Sequence, residues 1–269
     1  ENMRRVILTE GFAHQRAPYF LLLYILRAIT FQPSDVVIKI APALLVAFVA
    51  SSVYWIVKTG TNSVYVATLS SIFATFSIQT TVGMWGGIFS NWLAISETFL
   101  FFTFFLKALQ GTKKYLVAAV LTSIIVAFTH IWMWGVLMAI IVGYIALTLT
   151  CSRKEVLKDF VVRREMVSAL AILFLSVACE SARSYFMPLL TGTQTGLGSS
   201  YQILTTMSLT NLLNTWPTLR FTLQISKGLI ANPLLFLLGI IGAVALESQW
   251  KSNFHRILMS WILVTSIGS

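Results

Sequence analysis

Residues 115–149 read YLVAAVLTSIIVAFTHIWMWGVLMAIIVGYIALTL, a run with no Asp, Glu, Lys or Arg. As one helix rising 1.5 Å per residue it would be about 52 Å long, whereas a bilayer's hydrocarbon core is about 30 Å thick. The run therefore predicts two apolar helices folded back on each other. The division falls near His130 to Gly135, where a histidine, two tryptophans and a glycine interrupt the aliphatic pattern. A helix that is apolar on all sides belongs inside a large core or in lipid.

Composition chooses lipid. Of 269 residues, 57% are hydrophobic and only 10% charged, against about 25% charged in an ordinary soluble domain. Mean hydropathy is +0.82. The expected fold is all-α: a polytopic transmembrane helix bundle of about eight spans plus one interfacial helix. The other spans are expected at Val36–Val57, Val64–Ile78, Trp92–Leu106, Met166–Phe186 and Leu229–Leu246, with the eighth starting at Ile257. Ala17–Phe31 is apolar but reaches only about 22 Å and is interrupted by Arg27, so it is read as lying in the membrane interface. Asp35 is the expected cap of the first span. The chain divides into 1–31, the end of an outer loop with its juxtamembrane helix, and 32–269, the bundle, with an outer loop at 187–227. The first residue is Glu1 and the last lie in an apolar run, so the sequence reads as a piece of a longer polypeptide, truncated at both ends.

The net charge of +10 does not point to nucleic acid. The basic residues sit in short loops between apolar runs, as topology signals do. Lys107, Lys113 and Lys114 form one group, Arg153, Lys154, Lys158, Arg163 and Arg164 a second, and Lys251 and Arg256 a third. Alternating spans put all three on one face, the cytoplasmic one. The Thr80–Asn91 stretch, the His130 turn and the 187–227 loop then face outward. The expected location is the cell membrane, multi-pass, with membrane lipids as surroundings. Cys151 and Cys179 fall at different depths, which predicts no disulfide.

Polar side chains within such a bundle are costly and are read first as functional. Four groups stand out. Glu10, His14 and Arg16 precede the short helix; a carboxylate there can act as a general base and the cations can hold a phosphate, or the stretch is simply solvated. Glu97, with Asn91 and Ser96, either contacts substrate through the bundle interior or pairs with Lys39 or Arg27. His130 can bind a phosphate or sugar hydroxyl, and Trp132 and Trp134 either stack on a ligand or belong to an interfacial aromatic belt. Glu180 and Arg183, three apart on one helix face, either neutralise each other or offer Arg183 as a phosphate clamp. No P-loop, GxGxxG, GxSxG or HExxH pattern occurs in these contexts.

The run His14-Gln-Arg-Ala-Pro-Tyr-Phe-Leu-Leu-Leu-Tyr24 resembles the end of the first outer loop in GT-C membrane glycosyltransferases, where a juxtamembrane helix precedes the second span. The glycine-tryptophan stretch up to Asn91-Trp92-Leu93 and the Thr129-His130 hairpin are also similar to archaeal and bacterial members, so the resemblance covers residues 10–165. It implies a fragment lacking the first span, with a polyprenyl-phosphate-linked sugar as donor and sugar transfer on the outer face. The family's catalytic carboxylate sits early in the first outer loop, before Glu1; Glu10 is the residue here that can stand in for it. The substrate-binding set expected on this basis is His14, Arg16, Asn91, Glu97, His130, Trp132, Glu180 and Arg183. The sequence demands no cofactor, and a divalent metal ion is the one candidate. The alternatives are a non-catalytic membrane subunit that scaffolds protein partners in a larger complex, and a solute transporter; against the latter stands the absence of a strong internal repeat.

Overall fold

The structure, a computed structural model, describes residues 17–76, 89–151, 159–191 and 252–267. Within these residues all regular structure is α-helical: α1 Ala17–Thr30, α2 Ser34–Thr61, α3 Val64–Thr75, α4 Phe89–Leu109, α5 Lys113–Thr129, α6 Ile131–Cys151, α7 Phe160–Thr191 and α8 Asn253–Ile267. The fold is an all-α bundle. Among the described residues three helices are long and apolar enough to cross a membrane: α2, α4 and α6. The expected Leu229–Leu246 span lies outside the described residues.

The 115–149 run does fold back on itself, with a break shorter than the sequence suggests. His130 alone leaves the helix, with extended backbone at φ −162° and ψ 101°. Its N–H still donates to the Val126 carbonyl at 2.8 Å, and its carbonyl accepts from the Trp134 N–H at 3.1 Å. One residue therefore closes the last bond of α5 and accepts the first of α6. Between α4 and α5 the chain turns at Gly111, whose φ of +95° is a left-handed conformation that glycine tolerates. Between α2 and α3, Asn62 takes the left-handed cap and the Ser63 hydroxyl accepts from the Val66 N–H at 3.3 Å. Asp35 is not the cap of α2. It stands within the first turn, with Pro33 in the cap position, where its charge suits the positive end of the helix dipole.

α4 is the hub, packed against α1, α2, α5, α6 and α7. Its Phe101, Phe102 and Phe105 are fully buried. Phe102 lies 5.3 Å from the Trp261 ring of α8, and Phe105 meets Tyr144 of α6 edge-on at 5.5 Å. Aromatic pairs in these geometries add to the area they bury. On α2 the buried residues Val37, Ala41, Leu45, Val49 and Val53 recur every four positions, the spacing of one helix face. Leu45, Val49 and Val53 pack with Trp92 and Leu93 of α4 and with Tyr19 of α1. Ile38, Ile40, Leu44 and Trp55 on other faces of α2 are exposed, an outer surface suited to hydrocarbon.

Hydroxyls inside these helices are mostly hidden by bonding back to the carbonyl one turn earlier: Ser96 to Trp92, Thr98 to Ala94, Thr122 to Ala118 and Thr148 to Tyr144. Others tie helices together. Ser71 donates to the Ala50 carbonyl at 2.8 Å, Ser123 and Ser176 hydroxyls meet at 2.6 Å, and Ser260 donates to the Ile140 carbonyl at 2.6 Å. A Cβ on Gly143 would land on that Ser260 hydroxyl, so the α6–α8 approach needs the glycine.

The two ends of the bundle differ. At one end Lys107 lies over the rings of Trp55, at 5.8 Å, and Tyr115, at 4.9 Å. The Arg164 guanidinium stands beside Gly111, and Phe254 beside Gly60. Lys58, Lys107, Lys113, Lys114, Arg163, Arg164 and Arg256 all belong to helix termini gathered there. At the opposite end lie the start of α4, the α5–α6 turn and the last turns of α7. We call these the basic end and the hairpin end.

Candidate functional site

At the hairpin end, α4 and α5 run antiparallel and bring Glu97 to Thr129. Glu97 is only 6% exposed, and its carboxyl has the Thr129 side chain as hydrogen-bonding neighbour. The Thr129 hydroxyl also lies 2.9 Å from the Ile125 carbonyl. One hydroxyl proton serves one of these acceptors at a time. Glu97 Oε2 is buried with no hydrogen-bond partner among the described residues. The ion pair with Lys39 or Arg27 that the sequence allows is not formed: Glu97 has no cationic partner among the described residues. The reason is position, because the α4 face that carries Glu97 is turned to the end of α5.

The nearby α5–α6 turn sorts its aromatic residues by helix face. Trp132 is 58% exposed and stands on the outside of α6, the placement of a belt residue. Trp134, two residues on, is partly buried against the main core cluster, and its indole Nε1 is buried without a partner among the described residues. Buried donors without acceptors are rare in folded proteins. The sequence offers Trp132 as the ligand-binding ring, whereas the inward tryptophan is Trp134. Nothing in the residue types separates the two; the rotation of α6 does. His130 is half-buried at the head of α6 and makes contacts of its own.

Arg183 of α7 reaches the same end. Its guanidinium lies 5.0 Å over the ring of Phe128, the residue before Thr129. Its Nε donates to Glu180 Oε2 at 2.7 Å and its Nη2 to Oε1, a bidentate ion pair. Of the two readings open in the sequence, the neutralised pair is the one formed. A phosphate that used Arg183 would have to share it with Glu180.

Asn91 is not part of this cluster. It lies six residues before Glu97, about 240° around the helix, and is half-buried on another face. Ser96 spends its hydroxyl on the Trp92 carbonyl. Glu10, His14 and Arg16 lie outside the described residues. Among the described residues no group of three or more His, Cys, Asp or Glu could hold a metal ion, so the divalent-ion candidate finds no ligand set there. An open hollow of about 590 Å³ at the α1–α2 corner is lined by Tyr24, Arg27, Ala28, Phe31, Gln32 and Pro33, and includes none of the candidate residues.

The basic end holds a polar network that sequence reading passes over. The Tyr144 hydroxyl donates to Asn253 Oδ1 at 2.9 Å, and Asn253 Nδ2 donates to Glu165 Oε1 at 2.7 Å. Arg256, 4% exposed, acts on both Tyr144 and Glu165. Arg256 looks like one more topology charge in the sequence. The only hint of its second role is Tyr144, a hydroxyl placed within an apolar run. Comparison with protein-family models, with curated proteins and with solved structures finds no match.

Proposed function

We propose that the chain is a multi-pass protein of the cell membrane, its basic end cytoplasmic and its hairpin end outward, and that it transfers a sugar from a polyprenyl-phosphate donor in the manner of GT-C glycosyltransferases. One observation carries this reading. Glu97 of α4, His130 and Trp134 of the α5–α6 turn and Arg183 of α7 come from three separate stretches of the sequence, yet they collect at the end of the bundle opposite the basic end. The positive-inside tendency assigns the basic end to the cytoplasm. That leaves the polar cluster where lipid-linked sugars are used.

In this reading the donor phosphate docks against Arg16, His130 and Arg183. The acceptor hydroxyl attacks the anomeric carbon of the sugar, and the carbon–oxygen bond to the phosphate breaks. The polyprenyl phosphate leaves, and Glu10 or a carboxylate upstream takes the hydroxyl proton. Orientation of the two substrates and neutralisation of the leaving phosphate supply most of the rate. The test is donor binding and transfer by membranes carrying the protein, with polyprenyl-phosphate-linked hexose as probe. Arg183→Ala and His130→Ala are expected to weaken donor binding about tenfold each, the scale of a lost charge-assisted hydrogen bond. Unchanged binding and transfer in both would remove them from the site.

A further inference from the structure

Glu97 and Trp134 stand on facing helices at nearly the same height. The reference point is the contact between the Phe105 and Tyr144 rings. α4 and α6 run in the same direction, both from the hairpin end to the basic end. Glu97 lies eight residues before Phe105 and Trp134 ten before Tyr144, so they stand about 12 and 15 Å above that contact. At about 100° per residue each departs from the contact line by roughly 80°, toward the same side of the α4–α6 seam. Two unanswered atoms therefore flank one seam: an acceptor, Glu97 Oε2, and a donor, Trp134 Nε1. Glu97 has no cation beside it among the described residues, and Arg183 is already paired with Glu180.

We propose that Glu97 and Trp134 form a subsite for a neutral hydroxyl-bearing group, the sugar ring of the lipid-linked donor. A sugar ring carries several hydroxyls, so one can accept from the indole N–H while another donates to the carboxyl oxygen. A phosphate does not suit this place, since it would meet the carboxyl oxygen with no cation between them. The inference rests on the lipid-linked-sugar reading and adds where the sugar, as distinct from the phosphate, is held.

The experiment is titration calorimetry on purified protein in a sugar-free detergent, with three probes: polyprenyl-phosphate-linked hexose, bare polyprenyl phosphate and an alkyl hexoside. Glu97→Gln and Trp134→Phe keep shape and change only hydrogen bonding. Melting in the same detergent reports folding, and either variant serves if the other unfolds. Both are expected to weaken the sugar-bearing lipid about tenfold and to leave the bare lipid phosphate unchanged. Equal loss for both lipids, or no loss for either, overturns the subsite. If the wild type ignores both lipids but binds the alkyl hexoside in a Glu97-dependent way, the donor reading falls and the hydroxyl subsite stands. Silence toward all three probes overturns both.

Discussion

The two ends of this bundle bury polar groups in opposite ways. At the basic end every polar group of the Tyr144–Asn253–Glu165 chain has a partner, Arg256 supplies the counter-charge, and Lys107 rests on two rings. At the hairpin end a carboxyl oxygen and an indole N–H are buried with no hydrogen-bond partner among the described residues. Satisfied networks hold helices in register, whereas unsatisfied ones cost stability and persist where something else uses them. The comparison teaches that the basic end is a structural joint and that the hairpin end keeps hydrogen-bonding capacity in reserve.

The core between the two ends sets the scale for breaking that contrast. Phe101→Ala removes a fully buried ring from the hub helix and is expected to lower stability by about 3–5 kcal/mol, seen as a lower unfolding midpoint in detergent. If it leaves the midpoint alone, α4 is not the hub. Asn253→Ala takes one hydrogen-bond partner from both the Tyr144 hydroxyl and the Glu165 carboxyl, leaving Arg256 beside them, and should cost about 1–3 kcal/mol in the same measurement. Glu97→Met makes a comparable deletion at the other end with the opposite sign. It removes an orphaned carboxyl oxygen, and stability is expected to hold or to rise by about 1 kcal/mol. A loss as large as that of Asn253→Ala would erase the distinction between the ends. Trp132→Ala, on the outer face, is expected to stay within about 0.5 kcal/mol.

Much of the helical layout is legible in the sequence. The 115–149 run is too long for one crossing and must fold back, the α2 stripe repeats every four residues, and the basic residues cluster between apolar runs. The break at His130 proves narrower than the six-residue division expected, because one extended residue can keep a backbone hydrogen bond to each of the two helices. The candidate site is less legible. Glu97 and Arg183 are visible as costly residues in apolar segments, and so is the Glu180 that pairs with Arg183; Thr129 and Phe128 are not, since they come from another helix.

What the residues alone determine about this protein is its class: an apolar all-helical chain whose charges sit at helix ends, because apolar length and charge position are additive along the sequence. What only the tertiary structure decides is which polar atoms are answered. Tyr144 finds Asn253 while Trp134 finds no acceptor among the described residues, and Trp134 turns inward while Trp132 turns out. Those outcomes depend on helix rotation and on which helices touch, and a few tens of degrees in either is enough to exchange a buried partner for an exposed one.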